Sequence, residues 1–326
     1  MREIRLRAHA KLNLSLEVVG RRSDGYHNIV SLMQGIGLCD VVSIKKCAEN
    51  GTKYNLPHCT IVGHVVYLCT NEKTIPTDIS NLALKGIEAV LTAATEQFAE
   101  EELSGNSKPL LVEIEKRLPV AAGIAGGSGN GAAAMLGMNA IMGNPFSLRE
   151  LMSIGVSVGA DIPFSLFMNA YRNRDALTGL SGIEEASDAA WISGIGDEVE
   201  AEEPIERYVI MANPGISVST AKAYEAIDSI GFTGEGAKKG RRLFVNDLEK
   251  YTLANYPEAF ELKYAMENML SADEILMSGS GPTIAAYYRE EEKAERDLEL
   301  LAEYKLSKPD IRIWLTATGI MQKEEQ

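Results

Sequence analysis

The residues most able to do chemistry lie in one glycine-rich stretch, residues 123–131, Gly-Ile-Ala-Gly-Gly-Ser-Gly-Asn-Gly. A strand-like alternation, Leu-Leu-Val-Glu-Ile-Glu, precedes it at 110–115, and good helix formers follow it from Ala132. A helix that begins in such a loop directs unpaired N–H groups and the positive end of its dipole outward. The stretch therefore predicts a polyphosphate site, although tight packing is an equally good explanation of the glycines alone.

Two familiar phosphate motifs are excluded. The chain contains no Gly-x-x-x-x-Gly-Lys-Ser/Thr, and no Gly-x-Gly-x-x-Gly follows this strand directly. The loop belongs to neither the P-loop class nor the dinucleotide class.

Candidate polar groups also occur near the N-terminus. Residues 4–19 alternate almost strictly, which predicts a strand with Lys11, Asn13 and Ser15 on one face. Taken alone, such a face is more often solvent-exposed than functional. The following loop ends in Tyr26 and His27, which can present an aromatic ring and a hydrogen-bonding edge.

An isolated carboxylate, Asp161, lies in Gly-Ala-Asp-Ile-Pro-Phe at 159–164. It precedes an apolar run, where an unpaired charge is costly to bury. The alternative interpretation is a helix cap.

The elements that must position these groups follow from local signals. We expect a strand near 60–67, a helix over 78–98 capped by Asp78 or Ser80, and a helix over 148–156 opened by a Ser147/Glu150 capping box. Residues 168–188 are predicted to be a polar loop insertion. The C-terminal part predicts a ferredoxin-like βαββαβ order with an extra helix. Its strands are expected at 208–211, 274–277, 283–288 and 311–315, and its helices at 220–227, 257–270 and 291–304.

Composition limits the partners. A chain of 326 residues favours two domains, and its net charge of −14 argues against nucleic acid or an anionic membrane as the main partner. The four cysteines have irregular spacing, and His58 and His64 complete no zinc pattern, so reduced structural thiols are expected. Neither a signal-peptide core nor a membrane-length apolar run is present, which predicts a cytoplasmic protein.

Three separated segments resemble the GHMP small-molecule kinases: the strand with Lys11, the loop at 119–133, and Ser-Gly-Ser-Gly-Pro-Thr at 278–283. Further motifs occur in the family's order and indicate one branch of it. They are Ala-Lys-Leu-Asn-Leu from Ala10, Gly-Arg-Arg-Ser-Asp-Gly-Tyr-His from Gly20, Ser-Leu-Met-Gln from Ser31, Ser-Asn-Leu from Ser80, the Asp161 segment, Pro-Gly-Ile-Ser-Val-Ser-Thr-Ala-Lys-Ala-Tyr from Pro214, and Asn-Asp-Leu-Glu from Asn246.

This resemblance implies an α+β, two-domain GHMP kinase fold. Residues 1–165 would form the ATP-binding domain, which is ribosomal-protein-S5-domain-2-like, and residues 166–326 the ferredoxin-like substrate-side domain. The implied activity is ATP- and Mg²⁺-dependent phosphorylation of the 2-hydroxyl of a cytidine-diphosphate-linked methylerythritol, in the non-mevalonate route to isoprenoids. A monomer or homodimer is expected.

The resemblance also implies residue roles. Lys11 and Asp161 would be catalytic, Tyr26 and His27 would hold the cytosine, and Asn13 would contact the substrate. The implied ATP-binding residues are Asn81, Lys116, Pro119, Gly123, Gly126, Gly127, Ser128, Gly129 and Asn130, with Ser128 also a candidate Mg²⁺ ligand.

Several positions depart from the family pattern. Ala125 replaces a glycine, Gly129 a serine and Gly131 an alanine, which predicts weaker nucleotide binding. A family Gly-Gly is replaced at 168–174, and about twenty residues are inserted before Gly194. Two alternatives therefore stay open: a GHMP kinase with a shifted alcohol substrate, and a catalytically weak nucleotide-binding paralogue.

Overall fold

The structure is a computed structural model, and it describes residues 1–47, 56–98, 108–120, 122–230 and 242–318. The chain divides into two compact units. Unit 1 comprises Met1–Ala10, Leu38–Val120 and Ala125–Asp188, and unit 2 comprises Lys11–Gly37, Ala121–Ile124 and Ala189–Gln326. The units are thus interleaved along the sequence, and the domain boundary expected at residue 165 stays a prediction.

The strands are β1 Glu3–Asn13, β2 Ser15–Arg21, β3 His27–Lys46, β4 His58–Ile61, β5 His64–Thr70, β6 Leu110–Glu115, β7 Ala189–Ser193, β8 Glu198–Glu202, β9 Arg207–Asn213, β10 Val245–Asn246, β11 Glu274–Met277, β12 Ile284–Tyr288 and β13 Arg312–Thr318. The helices are α1 Leu82–Gln97, α2 Gly126–Met142, α3 Leu148–Gly155, α4 Ile162–Arg172, α5 Thr220–Ile230, α6 Glu249–Asn255, α7 Pro257–Met269 and α8 Glu291–Ser307.

Unit 1 places helices against a small sheet. The second half of β3 pairs antiparallel with β6, β6 pairs parallel with β5, and β5 forms a hairpin with β4. Helix α2 is almost entirely buried. Helix α1 approaches α2 closely at Gly86, where an added Cβ would lie 2.7 Å from the Gly131 carbonyl oxygen. Gly86 therefore allows α1 to pack closely on α2.

Unit 2 contains the expected ferredoxin-like arrangement. Four strands of its sheet are neighbours in the order β11-β12-β9-β13, and every neighbouring pair among them is antiparallel. Helices α7 and α8 cover an apolar core that includes Leu262, Met266, Tyr288 and Leu301. The βαββαβ order predicted from the sequence is confirmed, with strand ends within three residues of their expected positions.

Several local predictions are corrected. The cap of α1 is Asn81, whose side chain accepts a hydrogen bond from the Ala83 amide, rather than Asp78 or Ser80. The single strand expected near 60–67 is the β4–β5 hairpin, since Val62 and Gly63 both take positive φ and form a tight turn. Residues 48–55 lie outside the described residues.

The prediction of a loop insertion at 168–188 is wrong for its first residues, which are helical. Helix α4 continues through its first five residues to Arg172, and Phe167, Met168 and Ala170 are buried. The features that suggested a loop, Arg172, Arg174 and the Gly-Leu-Ser-Gly break, lie at the last residue of α4 or beyond it, and Asn169 within α4 is fully buried.

Candidate active site

The glycine loop leads into a helix, as its sequence indicates. Helix α2 begins at Gly126, and no side chain caps its first turn. The preceding Ala125 is left-handed, with φ 56°, at a position that favours glycine. The first N–H groups of α2 have no partner within the helix, and Gly127 is exposed beside them. This terminus can therefore accept an anion.

Lys116 adds a positive charge to the same terminus. A Cβ on Gly126 would lie 3.2 Å from Lys116 Nζ, so the ammonium lies directly against the first residue of α2. Asp40, which is fully buried, accepts from Lys116 Nζ at 2.5 Å and from the Arg117 and Leu118 amides at 2.7 Å. Asp40 therefore holds a buried ammonium in place at a helix end that would otherwise repel it.

Two further candidates lie around the first turns of α2. A Cβ on Gly131 would lie 2.9 Å from Ile162 Cδ1 and 3.2 Å from the Leu82 carbonyl oxygen. Ile162 follows Asp161 and Leu82 follows Asn81, so both candidate side chains belong to segments packed on this part of α2. Asp161 is half-buried and makes no capping hydrogen bond to α4, which argues against a purely capping role.

Asn130 differs from its neighbours in its hydrogen bonding. It is buried, and its Oδ1 has no hydrogen-bond partner among the residues that the structure describes. Buried polar atoms are normally satisfied, so such an atom at the start of α2 fits a site completed by a ligand.

In unit 2 the polar face of β1 is buried, contrary to the solvent-exposed face that its alternation suggested. Lys11, Asn13 and Ser15 are each at most 4% exposed. Lys11 Nζ donates to Asn13 Oδ1 at 2.7 Å, and Asn13 Nδ2 donates to Ser31 Oγ at 2.9 Å. The amide of Asn13 therefore fixes the position of the Lys11 ammonium.

The turn at 278–283 packs against this group. Ser278 Oγ accepts from the Asn13 amide at 3.3 Å and donates to the Gly123 carbonyl at 3.4 Å. A Cβ on Gly123 would lie 2.6 Å from the Gly281 carbonyl oxygen, so this contact requires glycine. Asn246 supports the turn by donating to the Met277 and Gly279 carbonyls. Three segments of the resemblance thus meet within unit 2.

The Tyr26-His27 pair also lies in unit 2. Tyr26 is 63% exposed, whereas His27 Nε2 is 2.8 Å from Asp228 Oδ1, and its ring stacks on Tyr224 with 5.5 Å between centroids. Arg21 pairs with the other oxygen of Asp228 at 2.9 Å. The histidine is therefore oriented by its neighbours, while the tyrosine ring is open to a ligand.

The structure assigns the candidates to two groups. Unit 1 contains Asn81, Lys116, Pro119, Gly126, Gly127, Ser128, Gly129, Asn130 and Asp161, and unit 2 contains Lys11, Asn13, Tyr26, His27 and Gly123. Pro119 is half-buried in the loop between β6 and α2. The sequence did not single out Asp40 or Asp228. Asp40 had no local signal, whereas Asp228 lies four residues after Tyr224, on the same face of α5.

The side chains that could bind Mg²⁺ are few. Among the described residues there is no group of three His, Cys, Asp or Glu side chains that could hold a metal ion. Mg²⁺ commonly retains waters and is held by substrate phosphates with few protein ligands. The half-buried Ser128 hydroxyl beside the anion-accepting terminus of α2 fits that limited role. No helix in the described part of the chain is long and apolar enough to span a membrane.

Comparison with known proteins places these groups in context. Residues 82–169 match the model of the GHMP kinases N terminal domain. The 4-diphosphocytidyl-2-C-methyl-D-erythritol kinase of Geobacter sulfurreducens is 32% identical over 92% of this chain and 95% of its own length. The enzyme of the same name from Alkaliphilus metalliredigens is 31% identical over 93% and 94%.

Solved structures share the fold. A 4-(cytidine 5'-diphospho)-2C-methyl-D-erythritol kinase superposes with a TM-score of 0.68 at 23% identity, covering 97% of this chain and 99% of its own. A homoserine kinase from Cytophaga hutchinsonii gives 0.59 at 15% identity, covering 98% and 95%. Because both likenesses extend over whole chains, the α+β GHMP kinase fold is confirmed. Its sequence relatives show that the chain belongs to the 4-diphosphocytidyl-2-C-methyl-D-erythritol kinase family of the GHMP kinases.

Proposed function

We propose that this protein is an ATP-dependent kinase that phosphorylates the 2-hydroxyl of 4-(cytidine 5'-diphospho)-2-C-methyl-D-erythritol in the non-mevalonate isoprenoid pathway. The observation that carries the proposal is the collinear match to kinases of that name over more than nine-tenths of both chains. The proposal further places the enzyme in the cytoplasm, as a monomer or homodimer.

Phosphoryl transfer needs positioning and charge stabilisation more than covalent chemistry from the protein. The N-terminus of α2 binds the phosphates through its unpaired N–H groups, and Lys116 adds charge there. Asp161 accepts the proton of the substrate hydroxyl. Lys11, oriented by Asn13, lowers the effective pKa of the alcohol and offsets negative charge on the transferring group.

The remaining roles concern binding. Tyr26 stacks on the cytosine with its exposed ring, and His27 hydrogen-bonds the base while Asp228 orients it. Mg²⁺ bound to ATP, with Ser128 as a candidate ligand, would neutralise charge on the β- and γ-phosphate oxygens.

The test is a coupled ADP-release assay with ATP and the cytidine-diphosphate substrate. The wild type is expected to turn over, and Asp161→Asn to lose about 10²–10⁴-fold in kcat, the usual contribution of general acid–base catalysis. Tyr26→Ala is expected to raise the KM of the cytidine substrate and to change the KM of ATP little.

Exposed Tyr264, on α7 outside the candidate groups, provides a matched control as Tyr264→Ala. Turnover only with another alcohol would indicate the shifted-substrate alternative. ATP binding without turnover would indicate the nucleotide-binding paralogue. An Asp161→Asn variant as fast as the wild type would contradict the assigned base.

A further inference from the structure

Two buried asparagines lie at the point where the chain departs from the family pattern: Asn169 in helix α4, and Asn173 directly after its last residue. Both side chains bond main-chain groups of strand β1. Asn169 is fully buried and Asn173 is 8% exposed. Buried amides need partners for both donor and acceptor atoms, and here the partners are main-chain groups of other elements.

The Asn173 side chain forms two hydrogen bonds with the main chain of Arg7 in strand β1, as a residue of a neighbouring strand would. Its Oδ1 accepts from the Arg7 amide at 2.8 Å, and its Nδ2 donates to the Arg7 carbonyl at 2.9 Å. One side-chain amide thus satisfies both backbone groups of a strand residue, which is the pairing that a sheet edge otherwise lacks.

Asn169 connects two elements to α4. Its Oδ1 accepts from the His9 amide of β1 at 3.0 Å, and its Nδ2 donates to the Gly129 carbonyl of α2 at 3.3 Å. Gly129 is in the first turn of the glycine-loop helix, and α4 begins directly after Asp161. The amide therefore ties together the phosphate-binding terminus, the strand beside it and the helix that carries the proposed base.

The surrounding contacts favour the same arrangement. A Cβ on Gly129 would lie 2.8 Å from the His9 carbonyl oxygen, so β1 and α2 approach as closely as glycine permits. Arg172 forms a two-point ion pair with buried Asp188, and it also donates to His9 Nδ1 at 3.3 Å. The end of α4 and residue 188 are thus attached to the same strand.

We propose that Asn169 is a positioning residue of the kinase site, because its amide holds Asp161's helix at a fixed setting relative to the glycine-loop helix. We call the Asn169 contacts with His9 and Gly129 the brace. The Asn173 and Arg172–Asp188 contacts hold the same helix end further from the site. This assigns a role to the segment 168–188, and it rests on the proposed function. Displacement of reacting groups by about 1 Å can cost about 10²-fold in rate, so loss of the brace should act on turnover.

The experiment compares Asn169→Ala with Asn173→Ala in the full-length chain. Both variants remove hydrogen bonds to strand β1, but of the two side chains only that of Asn169 also bonds α2. We expect Asn169→Ala to lower kcat about 10–100-fold with KM values within about threefold, and Asn173→Ala to lower kcat by less than about threefold. Hydrogen exchange at the His9 amide should rise about tenfold or more in Asn169→Ala alone. Asn268→Ala, on the exposed face of α7, is the matched control that should change neither quantity.

A purely structural role would lower the melting temperature of Asn169→Ala and Asn173→Ala and leave kcat per folded molecule at the wild-type value, which would overturn the proposal. Should Asn169→Ala not fold, Asn169→Asp keeps an acceptor for His9 and removes the donor to Gly129, and the same kcat loss is expected. A wild type without turnover would contradict the proposed function instead. The brace would then be judged by His9 exchange, and equal protection in wild type and Asn169→Ala would overturn it.

Discussion

At the residue scale, buried polar side chains decide where the charges of this site lie. Asp40 fixes Lys116 at the start of α2, and Asn13 fixes Lys11 on β1. Removing either partner would leave an ammonium in a largely buried place without its acceptor, which is more costly than never having had the pair. The chemistry of Lys11 and Lys116 therefore depends on neighbours that take no part in phosphoryl transfer.

A substitution at Gly129 tests why this chain has a glycine where the family loop has a serine. Either the serine hydroxyl is simply missing, or close packing requires glycine. We predict that Gly129→Ser lowers the free energy of unfolding by about 1–3 kcal/mol, because its Cβ would overlap the His9 carbonyl. Chemical denaturation measures this loss, and ATP titration should show no gain in affinity.

Gly127→Ala is the matched control within the same loop. A Cβ there would meet only Leu82 Cδ1 at 3.4 Å, an ordinary contact, so stability should change by less than about 0.5 kcal/mol. Tighter ATP binding by Gly129→Ser at unchanged stability would mean that the hydroxyl, and not packing, had been the limiting feature.

At the element scale, the helix beginnings divide into two kinds. Helices α1 and α3 are capped by side chains, Asn81 and Ser147, whereas α2 and α4 begin without a side-chain cap. A side-chain cap satisfies one of the unpaired N–H groups at a helix start, whereas an uncapped start retains all of them for a ligand. The missing cap, together with exposed Gly127 and the Lys116 ammonium beside Gly126, makes α2 the expected phosphate site.

The capping box of α3 makes a pH-dependent prediction. Hydrogen bonds from the Ser147 hydroxyl and amide lower the pKa of Glu150 below its ordinary value of 4.5. A carboxyl with a lowered folded pKa stabilises the fold above its unfolded pKa, and this contribution is lost as the pH falls through the folded value. Ser147→Ala should therefore cost about 1 kcal/mol near neutral pH.

The difference in unfolding free energy between Ser147→Ala and the wild type should shrink as the pH falls below about 4.5. Denaturant titrations at several pH values measure it. Ser153→Ala serves as the control, because its hydroxyl donates to the Arg149 carbonyl within the same helix and caps nothing. A difference that stays constant with pH would show that Glu150 does not contribute through its charge.

At the scale of the whole molecule, the chain is acidic, and its candidate phosphate-binding groups are confined to one place at the start of α2. The net charge is −14, yet in unit 1 the N-terminus of α2 presents unpaired N–H groups beside Lys116, whose charge Asp40 balances, and so forms a confined anion-accepting region. Such a region selects a small polyanion in preference to an extended one such as nucleic acid.

Nucleotide binding should therefore stabilise the protein whether or not it turns over. We predict that MgATP at a hundredfold excess over its Kd adds about 2.7 kcal/mol to the free energy of unfolding, seen as a raised melting temperature. AMP, which lacks the β- and γ-phosphates, should give a smaller shift at the same concentration. Equal shifts with AMP and ATP would contradict a triphosphate cradle at α2.

The sequence by itself determined the elements with strong local signals. The strand–glycine–helix stretch, the Ser147 capping box and the βαββαβ order of unit 2 were all predicted correctly. These features depend on periodicity, caps and turn residues that lie within a few positions of one another. The family resemblance, which added the substrate and the residue roles, also rests on short contiguous motifs.

Tertiary structure alone decided how the polar residues are used. The prediction that the Lys11 face is solvent-exposed was wrong. Burial of a strand face depends on what packs on it, and the alternation of residues along the strand does not show this. The loop prediction for 168–188 was wrong at residues 168–172, because Asn169 and Arg172 bond groups of His9 about 160 residues away in the chain. Asp40 went unnoticed for the same reason, since its partner Lys116 lies 76 residues further on. Polar residues whose hydrogen-bond partners are distant in the sequence resemble loop residues when only the sequence is considered.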